Sequence, residues 1–158
     1  MTIQEEIEQD MTIEYLTKNK KNIAYSANAG GAFTLVFLGG FMSDMMGSKA
    51  IHLEDWAKKN HYGFLRFDYS GHGQSSGVFE SCNISDWLED TYEIITEKTK
   101  GPIILIGSSM GGWISFLVYP KLYDRVVGIV TIAAAPDFTE DYFLSLIHIS
   151  EPTRHTDI

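Results

Sequence analysis

Gly107-Ser108-Ser109-Met110-Gly111 sets one serine between two glycines in a G-x-S-x-G pattern. A serine hydroxyl is a weak nucleophile at its free pKa. It attacks a carbonyl carbon only when a neighbouring base takes its proton and a third group orients that base. The pattern serves such chemistry in one setting, a sharp turn from a buried strand into a helix that lifts the hydroxyl clear of the backbone. Both flanks fit. Ile103-Ile104-Leu105-Ile106 is a short β-branched apolar run of the kind that forms a buried strand. Met110, Trp113, Ile114 and Leu117 recur at i, i+3, i+4 and i+7, one face of a helix. The glycines allow the turn and a close strand–helix approach, leaving Ser109 strained and exposed. The Met110 N–H, at the helix N-terminus, is then placed to hold an oxyanion. The competing reading of Ser109 is an N-cap serine following a tight turn.

Two further motifs follow apolar runs. Leu38-Gly39-Gly40-Phe41 closes the run Phe33-Thr34-Leu35-Val36-Phe37, and Arg66-Phe67-Asp68-Tyr69-Ser70-Gly71-His72-Gly73-Gln74-Ser75 leaves the run beginning at Gly63 with a D-x-x-G-x-G-x-S loop. Together with the Ser109 pentapeptide, these stretches resemble the α/β-hydrolases. Within that superfamily they are similar to bacterial relatives of the mitochondrial palmitoyl-protein thioesterase and acyl-glucuronide esterase, over about residues 12–140. The resemblance implies hydrolysis of a small-molecule ester or thioester through an acyl-enzyme at Ser109, with no metal and no organic cofactor. It also implies a second oxyanion donor after the first parallel strand, which would be the backbone N–H of Phe41. The alternative for that stretch is a plain strand-ending turn. Phe41 and Met42 would line an acyl pocket, or else belong to the core.

The partners of Ser109 are harder to place. The resemblance implies the chain order serine, acid, histidine. His72 precedes Ser109 and matches a histidine of a structural loop near the site. His52 and His61 flank a helix and read as surface or capping residues. His148 and His155 follow Ser109 but come too soon after the last strand, and they fall in a stretch, residues 144–158, that resembles translated sequencing adapter. Asp137 follows the last strand, where some relatives carry the acid, although a loop aspartate capping the turn before Phe138 is the better reading. The expectation is therefore a partial α/β-hydrolase domain over residues 11–143 with a non-native tail over 144–158. It would lack the last strands, the triad histidine and the triad acid, and would be inactive as it stands. Peptide or carbon–carbon bond hydrolysis on the same elbow is the rival chemistry, and a non-catalytic scaffold the rival class.

The elements that must position these residues alternate. A hairpin is predicted around Asn19-Lys20-Lys21-Asn22, joining Ile13–Lys18 to Ile23–Ser26. From residue 33 onward, strands and helices take turns. A strand over 33–38 precedes a helix marked by Ala50, Leu53, Trp56 and Ala57, and a strand from Gly63 precedes a helix with Ile84, Trp87, Leu88, Thr91 and Ile95 on one face. The Ser109 strand and helix then lead to a further buried strand, Val126–Ala133. This order predicts a mostly parallel sheet covered by helices on both faces.

Composition narrows the partners. The 158 residues carry 44% hydrophobic side chains, enough for a packed core, and a formal net charge of −9, which argues against nucleic acid. The single cysteine, Cys82, excludes an intrachain disulfide framework and points to a cytoplasmic, reducing location; with no cation near it in sequence it reads as a small packing residue. No apolar run approaches the ~20 residues of a membrane span. The Gly71–Gly77 stretch lacks the lysine of a phosphate-binding loop, so no nucleotide site is expected. Oligomeric state is not encoded in any visible pattern.

Overall fold

The structure, a computed structural model, describes residues 12–134. Strands β1 (Glu14–Lys18) and β2 (Lys21–Asn28) form the predicted hairpin, with Lys18 opposite Lys21 and only Asn19-Lys20 in the loop. Both loop residues have positive φ, 51° and 63°, as the tight twist-matched hairpin turn demands. Next come β3 (Thr34–Leu38), α1 (Ser48–Lys59), β4 (Gly63–Phe67), a short 3-10 turn (Phe79–Ser81), α2 (Ile84–Lys98), β5 (Ile103–Ser108), α3 (Met110–Leu122) and β6 (Val126–Ile132). They build one six-stranded sheet in the order β1-β2-β4-β3-β5-β6. The hairpin is antiparallel and joins β4 antiparallel; β4, β3, β5 and β6 run parallel.

Alternation along the central strands splits the core into two layers. Val36, Leu38, Leu65, Phe67, Ile103 and Leu105 face α2 and α3, where they meet Trp87, Ile94, Ile95, Met110, Ile114 and Val118. Leu35, Phe37, Phe64 and Ile106 face the other way, against Ala50 and Ala57 of α1. Both faces of the sheet are therefore helix-covered, as the alternating order predicts. α2 starts on a full capping box. The Asn83 side chain accepts from the N–H of Ser85 and Asp86, while the Asp86 carboxylate accepts from the Asn83 N–H.

Three sequence expectations change. Val126–Ala133 does not form a buried strand. β6 pairs only with β5 among the described residues, and its Val127 and Val130 are 63% and 50% exposed. An apolar run marks a strand, but its burial depends on a neighbour on each side, which composition does not report. Trp56 belongs to the exposed side of α1, where its ring lies against Tyr62, because the buried stripe is Ala50, Glu54 and Ala57. His52 lies inside α1 rather than beside it, on its exposed side. Residues 135–158, including Asp137, His148 and His155, and the proposed boundary near residue 143, lie outside the described residues.

Candidate active site

β5 delivers the chain to Ser109, and the turn there is abrupt. Ser109 has φ 54° and ψ −118°, a conformation that L side chains rarely adopt, and α3 begins at the next residue. Ser109 stands at the N-cap position of α3, but its side chain makes no capping hydrogen bond. Its N–H instead donates to Ile132 O of β6 at 2.9 Å, and its C=O accepts from the Gly112 N–H. The strain is held in place by packing that only glycine permits. A Cβ on Gly107 would strike the Gly111 carbonyl, and one on Gly111 would strike the Leu38 carbonyl at the end of β3. The two glycines of the pentapeptide thus bring strand, helix and the neighbouring strand end into contact. Met110, the first residue of α3, is buried, and its N–H is one of the helix-terminal donors with no partner inside the helix ladder.

The segment after β3 lies against this turn. A Cβ built on Gly40 would stand 3.5 Å from Ser109 Cβ and 3.5 Å from Ser108 O. Phe41 follows, 44% exposed, its ring edge-on to Phe79 at 5.1 Å and to Trp87 at 6.1 Å. Met42 is more exposed still and has φ 56°. Neither is a core residue; with His72, Phe79, Asp44 and Glu80, Met42 borders a cavity of about 230 Å³. The three residues singled out from sequence, Phe41, Ser109 and Met110, are accordingly brought to one place, the ends of β3 and β5.

The D-x-x-G-x-G-x-S loop holds that place together. The Asp68 carboxylate accepts from the Met45 N–H at 2.7 Å and the Gln74 N–H at 2.9 Å. Ser75 Oγ donates to Asp68 O and accepts from the Ala24 N–H, tying the loop to β2. Gly73, at φ 47°, is in contact with Asp68, where a Cβ would collide with the carboxylate. Burial pushes the Asp68 carboxyl above its ordinary pKa, with the two N–H donors opposing the rise.

His72 is 4% exposed and both its ring nitrogens are engaged: Nε2 accepts from the Met42 N–H at 3.2 Å, and Nδ1 stands 3.2 Å from Ser70 O. A backbone N–H can only donate, so Nε2 is the acceptor and Nδ1–H donates to Ser70 O. His72 is therefore a loop histidine, as read from sequence, boxed by Tyr69, Phe79 and Trp87. No hydrogen bond joins Ser109 to a histidine among the described residues. Burial, followed by the charges of Asp86 and Asp90, raises the pKa of the Cys82 thiol, which suits a packing residue and not a nucleophile. Among the described residues no cluster of three His, Cys, Asp or Glu side chains is placed to hold a metal ion. Nor is any helix there long and apolar enough to cross a membrane.

Residues that sequence reasoning did not single out complete the support. Arg66, in the middle of β4, is wholly buried; its Nε donates to Glu54 Oε2 at 2.9 Å and its Nη1 to Met45 O at 3.1 Å. Tyr69 donates its phenolic O–H to Gly39 O at 2.9 Å, and burial pushes its pKa far up, so that it stays a donor. Ser43 Oγ donates to Gly40 O at 2.7 Å. Asp90 of α2, completely buried, accepts from the Ser70 N–H at 2.7 Å and pairs with Lys21 at 3.5 Å. The available signals were a charged residue inside the apolar run Gly63-Phe64-Leu65-Arg66-Phe67, and an acidic residue at the i+4 position of the Ala50, Glu54, Ala57 stripe.

Comparison with known proteins bears on the family and the fold. Residues 34–153 match the family model Hydrolase_4, described as serine aminopeptidase, S33. The chain is 37% identical over 127 residues to the mitochondrial palmitoyl-protein thioesterase ABHD10 of Bos taurus, covering 80% of this chain and 42% of that protein. The structure superposes on mouse alpha/beta hydrolase domain-containing protein 10 with a TM-score of 0.77 at 31% identity, covering 87% of this chain and 54% of the other. Est1E from Butyrivibrio proteoclasticus superposes with a TM-score of 0.72 at 17% identity, over 78% of this chain and 53% of that one, a likeness of fold alone. The chain spans less than half the length of the curated relatives it matches.

Proposed function

This chain belongs to the serine aminopeptidase S33 family of α/β-hydrolases, and on that basis we propose that it is the part of a serine hydrolase that carries the nucleophile and the oxyanion donors for a carboxylic ester or thioester. The observation that carries the reading is the strained Ser109 at the junction of β5 and α3, with the Gly39-Gly40-Phe41 segment beside it. Ser109 Oγ attacks the substrate carbonyl carbon, losing its proton to a general base. The electron pair of the C=O bond moves to oxygen, and the backbone N–H groups of Met110 and Phe41 stabilise the resulting oxyanion. Collapse expels the alcohol or thiol, protonated by the same base, and leaves an acyl-serine that water cleaves in a second round.

The base and its orienting acid are assigned to sequence other than the described residues. His72 cannot serve, since both its nitrogens are committed to backbone groups. With His148 and His155 set aside because they follow the last strand too closely and fall in the adapter-like stretch, the 158-residue chain alone is expected to show little turnover, the remainder that oxyanion stabilisation and binding provide. The ester or thioester preference rests on the thioesterase named among the relatives. The substrate is a small molecule, and the mechanism calls on no metal or organic cofactor. We extend the proposal to a cytoplasmic location on the strength of the single cysteine. The relatives that carry "mitochondrial" in their names make that location a matter for direct imaging of a tagged chain.

One observation favours a second reading. The matching family model is described as a serine aminopeptidase, and the elbow chemistry serves an amide as it does an ester. A panel of p-nitrophenyl esters, acyl thioesters and aminoacyl p-nitroanilides, offered to the full-length protein containing this chain, separates the two. Faster kcat/KM on esters and thioesters supports the proposal. Faster turnover of the anilides replaces it with the peptidase reading.

A further inference from the structure

The proposed oxyanion donor, the Phe41 N–H, belongs to the peptide between Gly40 and Phe41. In a trans peptide the N–H and C=O point in opposite directions, so whatever grips Gly40 O aims the Phe41 N–H. Ser43 grips it twice, through Oγ at 2.7 Å and through its own N–H at 3.3 Å. The next peptide, between Phe41 and Met42, is held from the other side by His72, whose Nε2 accepts the Met42 N–H. Upstream, Tyr69 holds Gly39 O. The grip matters because Met42 holds φ 56°, a conformation that costs free energy, and is 71% exposed.

Ser43 also lies on the correct side to act. A Cβ built on Gly40 would stand 3.4 Å from Ser43 Oγ and 3.5 Å from Ser109 Cβ, so Gly40 is close to both serines. A hydrogen bond accepted by Gly40 O polarises that amide and makes the Phe41 N–H a stronger donor, a cooperative effect that a packing contact does not provide. His72 cannot drift from its task. Its Nδ1–H is bound to Ser70 O, which also accepts from Trp87 Nε1 at 3.0 Å, and three aromatic rings enclose the imidazole.

We propose that Ser43 and His72 are positioning residues of the oxyanion loop, Ser43 fixing and polarising the Gly40–Phe41 peptide and His72 locking the peptide that follows it. The proposal rests on the reading of Ser109 as nucleophile and Phe41 as oxyanion donor. An interaction realised at the oxyanion lowers kcat when lost and leaves KM unchanged.

The test uses the full-length protein containing this chain, with a p-nitrophenyl ester and a boronic acid that forms a tetrahedral adduct. Ser43→Ala is expected to lower kcat about tenfold, with KM within about twofold, and to weaken the boronate by a similar factor. Ser43→Thr, which keeps the hydroxyl, restores most of the rate. His72→Phe keeps an aromatic ring in the box and loses the acceptor, and is expected to lower kcat in the same way, whereas His72→Gln retains an acceptor and recovers it. The positioning roles are overturned if Ser43→Ala and His72→Phe keep wild-type kcat and boronate affinity. They are overturned equally if Ser43→Thr and His72→Gln are as slow as the variants they should rescue, since that pattern marks a merely structural role. Ser109→Ala, run in parallel, keeps the two failures apart. Activity surviving in Ser109→Ala removes the underlying reading, while a dead Ser109→Ala beside a fully active Ser43→Ala removes the positioning roles alone.

Discussion

At the scale of residues, the chain stores strain at one serine and surrounds it with groups that forbid relaxation. Ser109 at φ 54° is expected to cost stability relative to glycine, which adopts that region freely. Ser109→Gly should therefore abolish activity while gaining about 1 kcal/mol in a urea titration, the relief of strain exceeding the entropy that glycine adds to the unfolded chain; Ser109→Ala keeps the strain and should show no such gain. A Ser109→Gly variant less stable than Ser109→Ala would mean that the elbow is not strained. The buried pair of Arg66 and Glu54 makes the opposite case, a charge that cannot be left alone. Glu54→Leu should destabilise by about 3–5 kcal/mol, because it strands a fully buried guanidinium without its carboxylate partner. Adding Arg66→Met to it should recover much of that loss. An unchanged urea midpoint in the single variant would show the pair to be dispensable. The pentapeptide, the paired glycines after β3 and the loop glycines were legible in sequence because each marks a backbone need. Glu54, Arg66 and Asp90 were not, since a charged residue in a helix or strand reads as solvated until the partner across the fold is known.

At the scale of elements, α2 does more than cover the sheet. Its Asp90, pointing at the loop after β4, holds the Ser70 N–H, and burial raises the carboxyl pKa above the ordinary 3.8, with the Ser70 bonds and Lys21 opposing the rise. A carboxyl whose pKa is raised by folding binds its proton more tightly in the native state. Its contribution to stability is present below the unfolded pKa and is lost as pH rises through the native one. The urea midpoint of Asp90→Asn should thus fall less than that of the wild type between pH 4 and pH 7. A wild-type profile that rises more steeply than the variant's would contradict the sign. The α2 capping box should be worth about 1 kcal/mol, read as the loss in Asn83→Ala. Strand and helix order was readable from alternating apolar runs, and the hairpin from its polar cluster, although Lys21 and Asn22 of that cluster belong to β2 and not to the turn. What sequence could not convey was the assignment of faces. The apolar spacing on α1 included Trp56, yet its sheet-facing stripe is Ala50, Glu54 and Ala57, because small side chains let the helix approach and Glu54 meets Arg66 there.

At the scale of the whole molecule, the described residues form a sheet that gathers Phe41, Ser109 and Met110 at the ends of β3 and β5 and has one lateral edge at β6. Val127 and Val130 on β6, Phe116 and Tyr119 on α3, and Tyr123 just after it leave apolar surface exposed. Edge strands of this kind recruit partners. The 158-residue chain is therefore expected to associate with rising concentration in analytical ultracentrifugation, and Val130→Lys to shift it toward monomer. The claim on which the functional account stands is that Ser109 is the nucleophile. Its most direct measurement is labelling of the full-length protein containing this chain with a fluorophosphonate probe, followed by mass spectrometry of the tryptic peptides. The account predicts one modified site, Ser109, and no labelling in Ser109→Ala. A probe adduct on any other residue, or labelling that persists in Ser109→Ala, would contradict it.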